Sequence, residues 1–192
     1  MGGIDLLTKT VEQNFQVKID GNVQIDFESF KTVVDELGGV EIELNQAEAD
    51  YLNLAYWQNG WTLTAGVQTL NGDQALAYSR IRQVGNSDFE RTERQRTVLM
   101  TAFQKVKAQG KIKMLSLAKE IYPMLETDIG LKDMTSLGLT ALSLSDGSIE
   151  TYRLPVDGGF ENQTIRNMAV LVPNLEMNQN YLKELLYGTT TE

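Results

Sequence analysis

Five of the chain's seven arginines, Arg80, Arg82, Arg91, Arg94 and Arg96, fall within seventeen consecutive positions. Only three carboxylates, Asp88, Glu90 and Glu93, share that window, so a cationic island sits inside a chain of net charge −9. Such an island in an acidic protein usually faces an anion. Guanidinium forks grip carboxylates and phosphates bidentately and stay charged at any physiological pH. Two readings follow. One is a site for phosphate or pyrophosphate; the other is a structural ion-pair network with Asp88, Glu90 and Glu93, because such networks also gather arginines.

Absent residue types narrow the chemistry further. The chain has no histidine and no cysteine, which removes imidazole bases, thiolate nucleophiles, disulfides and zinc-thiolate sites. Acid-base work would have to come from Asp, Glu, Lys, Tyr, arginine electrostatics or an oxygen-liganded cation such as Mg²⁺. The acidic balance argues against nucleic acid as a partner, since its backbone needs distributed Lys and Arg. At 192 residues, 42% hydrophobic and 22% charged, the chain fits one globular domain. No apolar run reaches the ~20 residues of a membrane span, and the start MGGIDLLTKT lacks a signal-peptide layout.

The elements that position the arginines can be read from hydrophobic spacing. Val98, Leu99, Ala102, Phe103 and Val106 predict a helix. Extending its apolar face back from Val98 reaches Gln95 and Arg91, which are therefore expected to look inward. Ser87 with Glu90 has the form of a capping box, and Asp88 is an equally good cap, so the helix is expected to start near Ser87 to Phe89. Upstream, Asn71-Gly72-Asp73 opens a helix leading into Arg80. Leu76 and Arg80 lie four apart on it, making Arg80 another inward candidate.

Toward the N-terminus, Ile4 to Phe15 has a helical stripe, Val23 to Phe27 alternates like a strand, and Glu28 to Leu37 returns to helical spacing before Gly38-Gly39 stops it. Val40 to Leu44 alternates with Glu41 and Glu43 as a strand, and Asn45 caps a helix through about Trp57 that carries Ala49, Leu52, Ala55 and Tyr56 inward. Thr62 to Leu70 reads as loop or short strand. Beyond the central helix, helices are expected over Lys111 to Leu125 and over Leu131 to Leu144, the latter interrupted by Gly138. Asp146-Gly147 signals a turn, Ile149 to Leu154 a strand, Gln163 to Val172 further strands, and Asn178 to Tyr187 a closing helix ended by Gly188. The β-α-β order suggests an α/β layer architecture.

The segment LNGDQALAYSRIR followed by DFERTERQR resembles the signature of the LytR-CpsA-Psr family, in which two arginines, an Asp, two more arginines and a Gln keep their order and spacing. VDELGGVEIEL and RLPVDG resemble further segments of that family, so the similarity covers nearly the whole chain. The resemblance implies a three-layer α/β/α sandwich around a mixed sheet. It also implies a phosphotransferase that moves a glycopolymer, such as wall teichoic acid or capsular polysaccharide, from undecaprenyl pyrophosphate to a peptidoglycan acceptor. By matched position, Arg80, Arg82 and Asp88 would be catalytic, with Asp88 shaping the network, while Arg91, Arg94 and Gln95 would bind the pyrophosphate-bearing substrate, although Arg94 could equally point outward.

Family members normally begin with strands carrying aspartates for Mg²⁺, a further arginine and a membrane anchor. The chain is accordingly expected to be a C-terminal portion of the domain, one unit over residues 1–188 with a disordered tail at 189–192. It is expected to be soluble, with the Mg²⁺ ligands and anchor of its extracytoplasmic, membrane-anchored parent lying upstream, and to lack metal-dependent transfer by itself. Met100, Phe103 and Met114 would either line a tunnel for an isoprenoid tail or belong to the core. Two alternatives to the enzyme are a polyprenyl-phosphate-binding module without catalysis and a membrane-associated transcriptional attenuator.

Overall fold

The structure is a computed structural model that describes residues 2–85, 88–144 and 149–188. The expected cap at Ser87, the turn at Asp146-Gly147 and the tail at 189–192 lie outside the described residues. The chain divides into two compact units, Val23–Ser148, and Met1–Asn22 with Ile149–Glu192.

The larger unit carries all the arginines of the motif. Its elements are β1 (Val23–Ile25), α2 (Phe27–Glu36), β2 (Val40–Leu44), α3 (Gln46–Ala55), β3 (Gly66–Leu70), α4 (Gly72–Ser79), α5 (Asp88–Ile121), β4 (Leu125–Thr127) and α6 (Leu131–Ser143). Strands β2 and β3 pair antiparallel from Val40 opposite Leu70 to Leu44 opposite Gly66. Val40, Ile42 and Leu44 are buried while Glu41 and Glu43 face solvent, the period-two pattern of a half-buried strand. Around this ladder pack Val34, Leu52, Ala75, Tyr78, Ile81 and Val98, forming one apolar cluster.

Capping fixes where the helices begin. Asn45 and Glu48 form a reciprocal capping box on α3, and Asn71 and Gln74 form one on α4. Helices α2 and α4 approach backbone to backbone at Gly72, where a Cβ would come 2.3 Å from the carbonyl oxygen of Lys31. The Gly72 N–H donates to Asp35 Oδ1 at 2.8 Å. Gly39, at φ +81° and with its Cβ position 2.8 Å from Leu70 O, turns the chain from α2 into β2.

Several expectations need correction. Gly110, at φ 80° and ψ 174°, separates α5 into two helical segments, as the separate helix expected from Lys111 requires; the second ends at Ile121 rather than Leu125, and β4 follows, paired antiparallel with β1. Gly138 does not interrupt α6. It lies inside the helix beside Met114, whose Sδ is 3.4 Å from where a Cβ would stand, so the glycine serves close packing. Met114 is buried there, and Met100 and Phe103 are half-buried. Ala55, the last residue of α3, is exposed.

The smaller unit contains α1 (Gly3–Phe15), β5 (Phe160–Ile165), β6 (Met168–Pro173) and α7 (Leu175–Tyr187). Strands β5 and β6 form a hairpin whose two-residue turn, Arg166-Asn167, has positive φ at both positions, the backbone that matches strand twist. Helix α7 starts three residues earlier than expected because Asn174 caps it through the Met177 N–H. Residues 149–154 form no strand; a strand exists only where another backbone pairs with it, and β5 and β6 satisfy each other. The α/β class holds. The strands among the described residues pair as three separate two-stranded antiparallel ladders, where the resemblance implied one mixed sheet, since a β-α-β order in sequence leaves the pairing partner open.

Candidate functional site

The segment after α4 and the first turn of α5 bring Arg82, Asp88 and Arg91 together. Asp88, the first residue of α5, is the meeting point: its Oδ1 lies 3.1 Å from Arg91 Nη1 and 3.6 Å from Arg82 Nε. Arg82 and Asp88 are exposed and Arg91 is half-buried. Two guanidinium groups thus share one carboxylate, leaving a local positive excess. The Arg91 Nε is buried without a hydrogen-bond partner among the described residues. Arg96, which pairs with Glu93 one turn away, has a similarly placed Nε.

Arg94 behaves differently. It is 4% exposed, and four of its N–H groups are engaged: Nε donates to Glu48 Oε1 at 2.8 Å, Nη1 to Ile81 O at 3.3 Å, and Nη2 to Val84 O at 3.0 Å and Glu90 Oε2 at 3.1 Å. These bonds tie α3, the loop after α4 and α5 into one piece. Arg82 sits between the two tethered carbonyls. Charge burial of this kind requires full pairing, and Glu48, itself 6% exposed, provides it.

The inward phase expected from periodicity is therefore corrected. From Val98 the inward side of α5 steps back by four to the buried Arg94 and by seven to the half-buried Arg91, the latter as expected. Gln95, three back, is exposed and reaches Ser79 O only at 3.4 Å. Arg80 is also exposed, because α4 ends at Ser79 and Arg80 is its C-cap rather than part of its buried face. Its guanidinium stacks 4.6 Å over the Phe27 ring, a cation–π contact.

Sequence reasoning missed Glu48 as the counter-charge of Arg94. Asn45 was recognisable as a cap, and a glutamate three residues on completes the box, but nothing local says that its other oxygen meets an arginine 46 positions away. Tyr78 was missed too. Burial pushes its phenol up to about 12, with the Glu48 charge adding in the same direction and Arg94 opposing. Native Tyr78 thus keeps its proton beyond the ordinary value near 10, so stability present in full below pH 10 is lost as pH rises toward 12. Urea midpoints followed over that window are expected to fall more steeply in the parent than in Tyr78→Phe; equal slopes would refute this.

No helix among the described residues is long and apolar enough to cross a membrane. Among those residues no group of three or more carboxylates could hold a metal ion, and Asp88 is already engaged by two guanidinium groups.

This arrangement can be set beside known proteins. Polyisoprenyl-teichoic acid–peptidoglycan teichoic acid transferase TagV of Bacillus subtilis (strain 168) is 27% identical over 203 residues, covering 98% of this chain and 50% of its own. The solved structure of TagT bound to LI-WTA superposes with a TM-score of 0.78 at 29% identity, over 96% of this chain and 66% of that one. A further structure, TagT with bound octaprenyl pyrophosphate lipid, gives 0.73 at 26% identity, over 95% and 66%. The chain spans about half the length of the curated relatives it matches. With the LytR_cpsA_psr family model matching residues 1–185, across both compact units and the whole arginine cluster, the chain belongs to the LytR_cpsA_psr family.

Proposed function

We propose that this chain forms the pyrophosphate-gripping part of an extracytoplasmic glycopolymer transferase. In this reading a teichoic acid or related polymer carried on polyisoprenyl pyrophosphate is passed to a peptidoglycan hydroxyl. The hydroxyl oxygen bonds to the glycan-linked phosphorus, the P–O–P bridge breaks, and polyprenyl monophosphate leaves with the electron pair while the hydroxyl proton passes to solvent. Arg82 and Arg91 bind the pyrophosphate and offset the charge that grows on the leaving phosphate. Asp88 holds the two guanidinium groups in register, Arg80 flanks them, and Gln95 is placed to donate an amide hydrogen bond. Arg94 acts as a positioning residue, holding the loop that carries Arg82. No step is routed through Mg²⁺.

The observation that carries this reading is the convergence of Arg82 and Arg91 on one carboxylate, two guanidinium charges against one. The test is equilibrium binding of octaprenyl pyrophosphate in detergent micelles. Arg82→Ala and Arg91→Ala are each expected to weaken it roughly tenfold or more, the loss of about 1.5–3 kcal/mol for a charge-assisted hydrogen bond. Lys132→Ala, on the exposed side of α6, serves as the control. Unchanged affinity in the Arg82/Arg91 double variant would sink the reading.

A further inference from the structure

The chain holds two Asn-Gly dipeptides, Asn59-Gly60 and Asn71-Gly72, and the fold treats them oppositely. Asparagine is chemically labile, most of all before glycine, where no side chain shields the next backbone nitrogen. Asn59 ends a single 3₁₀ turn (Trp57–Asn59) that follows α3. Asn59 and Gly60 are both exposed, and the Asn59 side-chain amide is held by no hydrogen bond among the described residues. One backbone bond, from the Gly60 N–H to Trp57 O at 3.1 Å, closes the turn. Nothing lies within 4 Å of a Cβ built on Gly60, so the Asn59-Gly60 peptide has room to rotate. We propose that Asn59 is a site of spontaneous deamidation, which places a carboxylate in the cleft that Arg80 lines, and that the fold protects Asn71 from the same reaction.

The reaction needs only water and the swing of one peptide. The Gly60 nitrogen, having given its proton to hydroxide, bonds to Asn59 Cγ; the Cγ–Nδ2 bond breaks, and ammonia leaves with a proton from water. Water then opens the five-membered imide at either carbonyl, leaving aspartate or isoaspartate. At Asn71 the swing is blocked in three ways. Asn71 Oδ1 accepts the Gln74 N–H at 3.0 Å as the cap of α4, and the Gly72 N–H donates to Asp35 Oδ1 at 2.8 Å. Gly72 is also buried, with its Cβ position 2.3 Å from Lys31 O of α2. Rotation there breaks two hydrogen bonds and parts two helices, whereas rotation at Asn59 breaks one exposed backbone bond. The product has a place to act. Asn59, Asp73 and Arg80 line one small cleft together with Tyr56 and Trp61, so a second carboxylate there draws on Arg80, which flanks the pyrophosphate. That consequence rests on the function assigned above, while the modification itself does not.

Peptide mapping of the protein after incubation in mildly alkaline buffer tests the site, because cleavage after Trp61 separates the two dipeptides. Aspartate and isoaspartate are expected at Asn59 and to accumulate roughly tenfold or more faster than at Asn71, the factor set by the extra hydrogen bonds that Asn71 must break. In urea that unfolds the chain the two sites should convert at similar rates. Asn59→Gln should abolish the fast conversion, since its imide would need a six-membered ring. Equal rates at the two sites in the folded protein would overturn the proposal, as would an Asn59 that converts in urea but stays intact in the folded chain. Asn59→Asp carries the charge of the product and is expected to bind octaprenyl pyrophosphate in micelles roughly twofold to fivefold more weakly than the parent, the scale of one exposed charge pair. Unchanged affinity in that variant would overturn the link to Arg80. Absence of binding in the parent as well would overturn the transferase reading, with the modification still decided by the mapping.

Discussion

Glu48→Ala is expected to remove about 3–5 kcal/mol of folding stability, the cost of leaving one partner of a buried ion pair uncompensated. The side chains of Glu48 and Arg94 are 7% and 5% exposed and meet at 2.8 Å. Without Glu48, the one carboxylate left to Arg94 among the described residues would be Glu90, whose side chain is 42% exposed and whose charge is accordingly screened. A domain of ordinary stability has about 5–15 kcal/mol in total, so the variant should unfold at a much lower urea midpoint with an unchanged slope. The double variant Glu48→Gln with Arg94→Met should recover part of the loss, because replacing both charges removes the desolvation burden as well as the attraction. A loss below about 1 kcal/mol in Glu48→Ala would mean that the pair is solvated, contrary to its burial. The same variant should weaken octaprenyl pyrophosphate binding, since Arg94, left without its buried counter-charge, would hold Ile81 and Val84 on either side of Arg82 less firmly.

Asn178→Ala should have the next largest effect, in the smaller unit. Asn178 is fully buried. Its Oδ1 accepts from the Val156 N–H at 2.9 Å, and its Nδ2 donates to Gly159 O at 2.8 Å and to Asn174 O at 2.7 Å. The amide therefore joins the loop before β5 to the first turn of α7. Gly159 has no room for a side chain there, its Cβ position lying 2.9 Å from that same Nδ2. Truncation would leave the Val156 N–H without its acceptor and forfeit two further bonds, a cost of about 2–4 kcal/mol given about 1–3 for each buried group left unsatisfied. Hydrogen exchange gives a local readout: the Val156 amide should lose protection in Asn178→Ala. Protection equal to the parent would show that the loop holds itself.

Helix positions were legible wherever spacing and caps agreed. Asn45, Asn71, the Gly38-Gly39 stop and the apolar beat of β2 each follow from short-range rules, and each element stands within a few residues of its expected bounds. The arginine cluster was legible as a cluster for the same reason, since order and spacing along one segment survive folding. Which arginine does what was not legible. Arg91, Arg94 and Gln95 all lie within one turn or two of the helix, and a rotation of one position decides which is buried. That rotation is settled by a glutamate from α3 that pairs with Arg94, which the local pattern of α5 does not specify. Likewise Gly138 reads as a helix breaker until Met114 is placed against it.

The amino-acid sequence by itself determined the residue types at the candidate site, the exclusion of imidazole and thiol chemistry, and the caps and periods that start and stop most elements. Tertiary structure alone decided that Arg94 is a buried clamp while Arg82 and Arg91 converge on Asp88. It also decided that Arg80 lines a cleft walled by Tyr56 and Trp61. The physical reason is range. Capping and periodicity act within about a turn of helix, whereas burying a guanidinium requires a counter-charge that only a distant segment can bring, and the stability of the pair depends on excluding water from both.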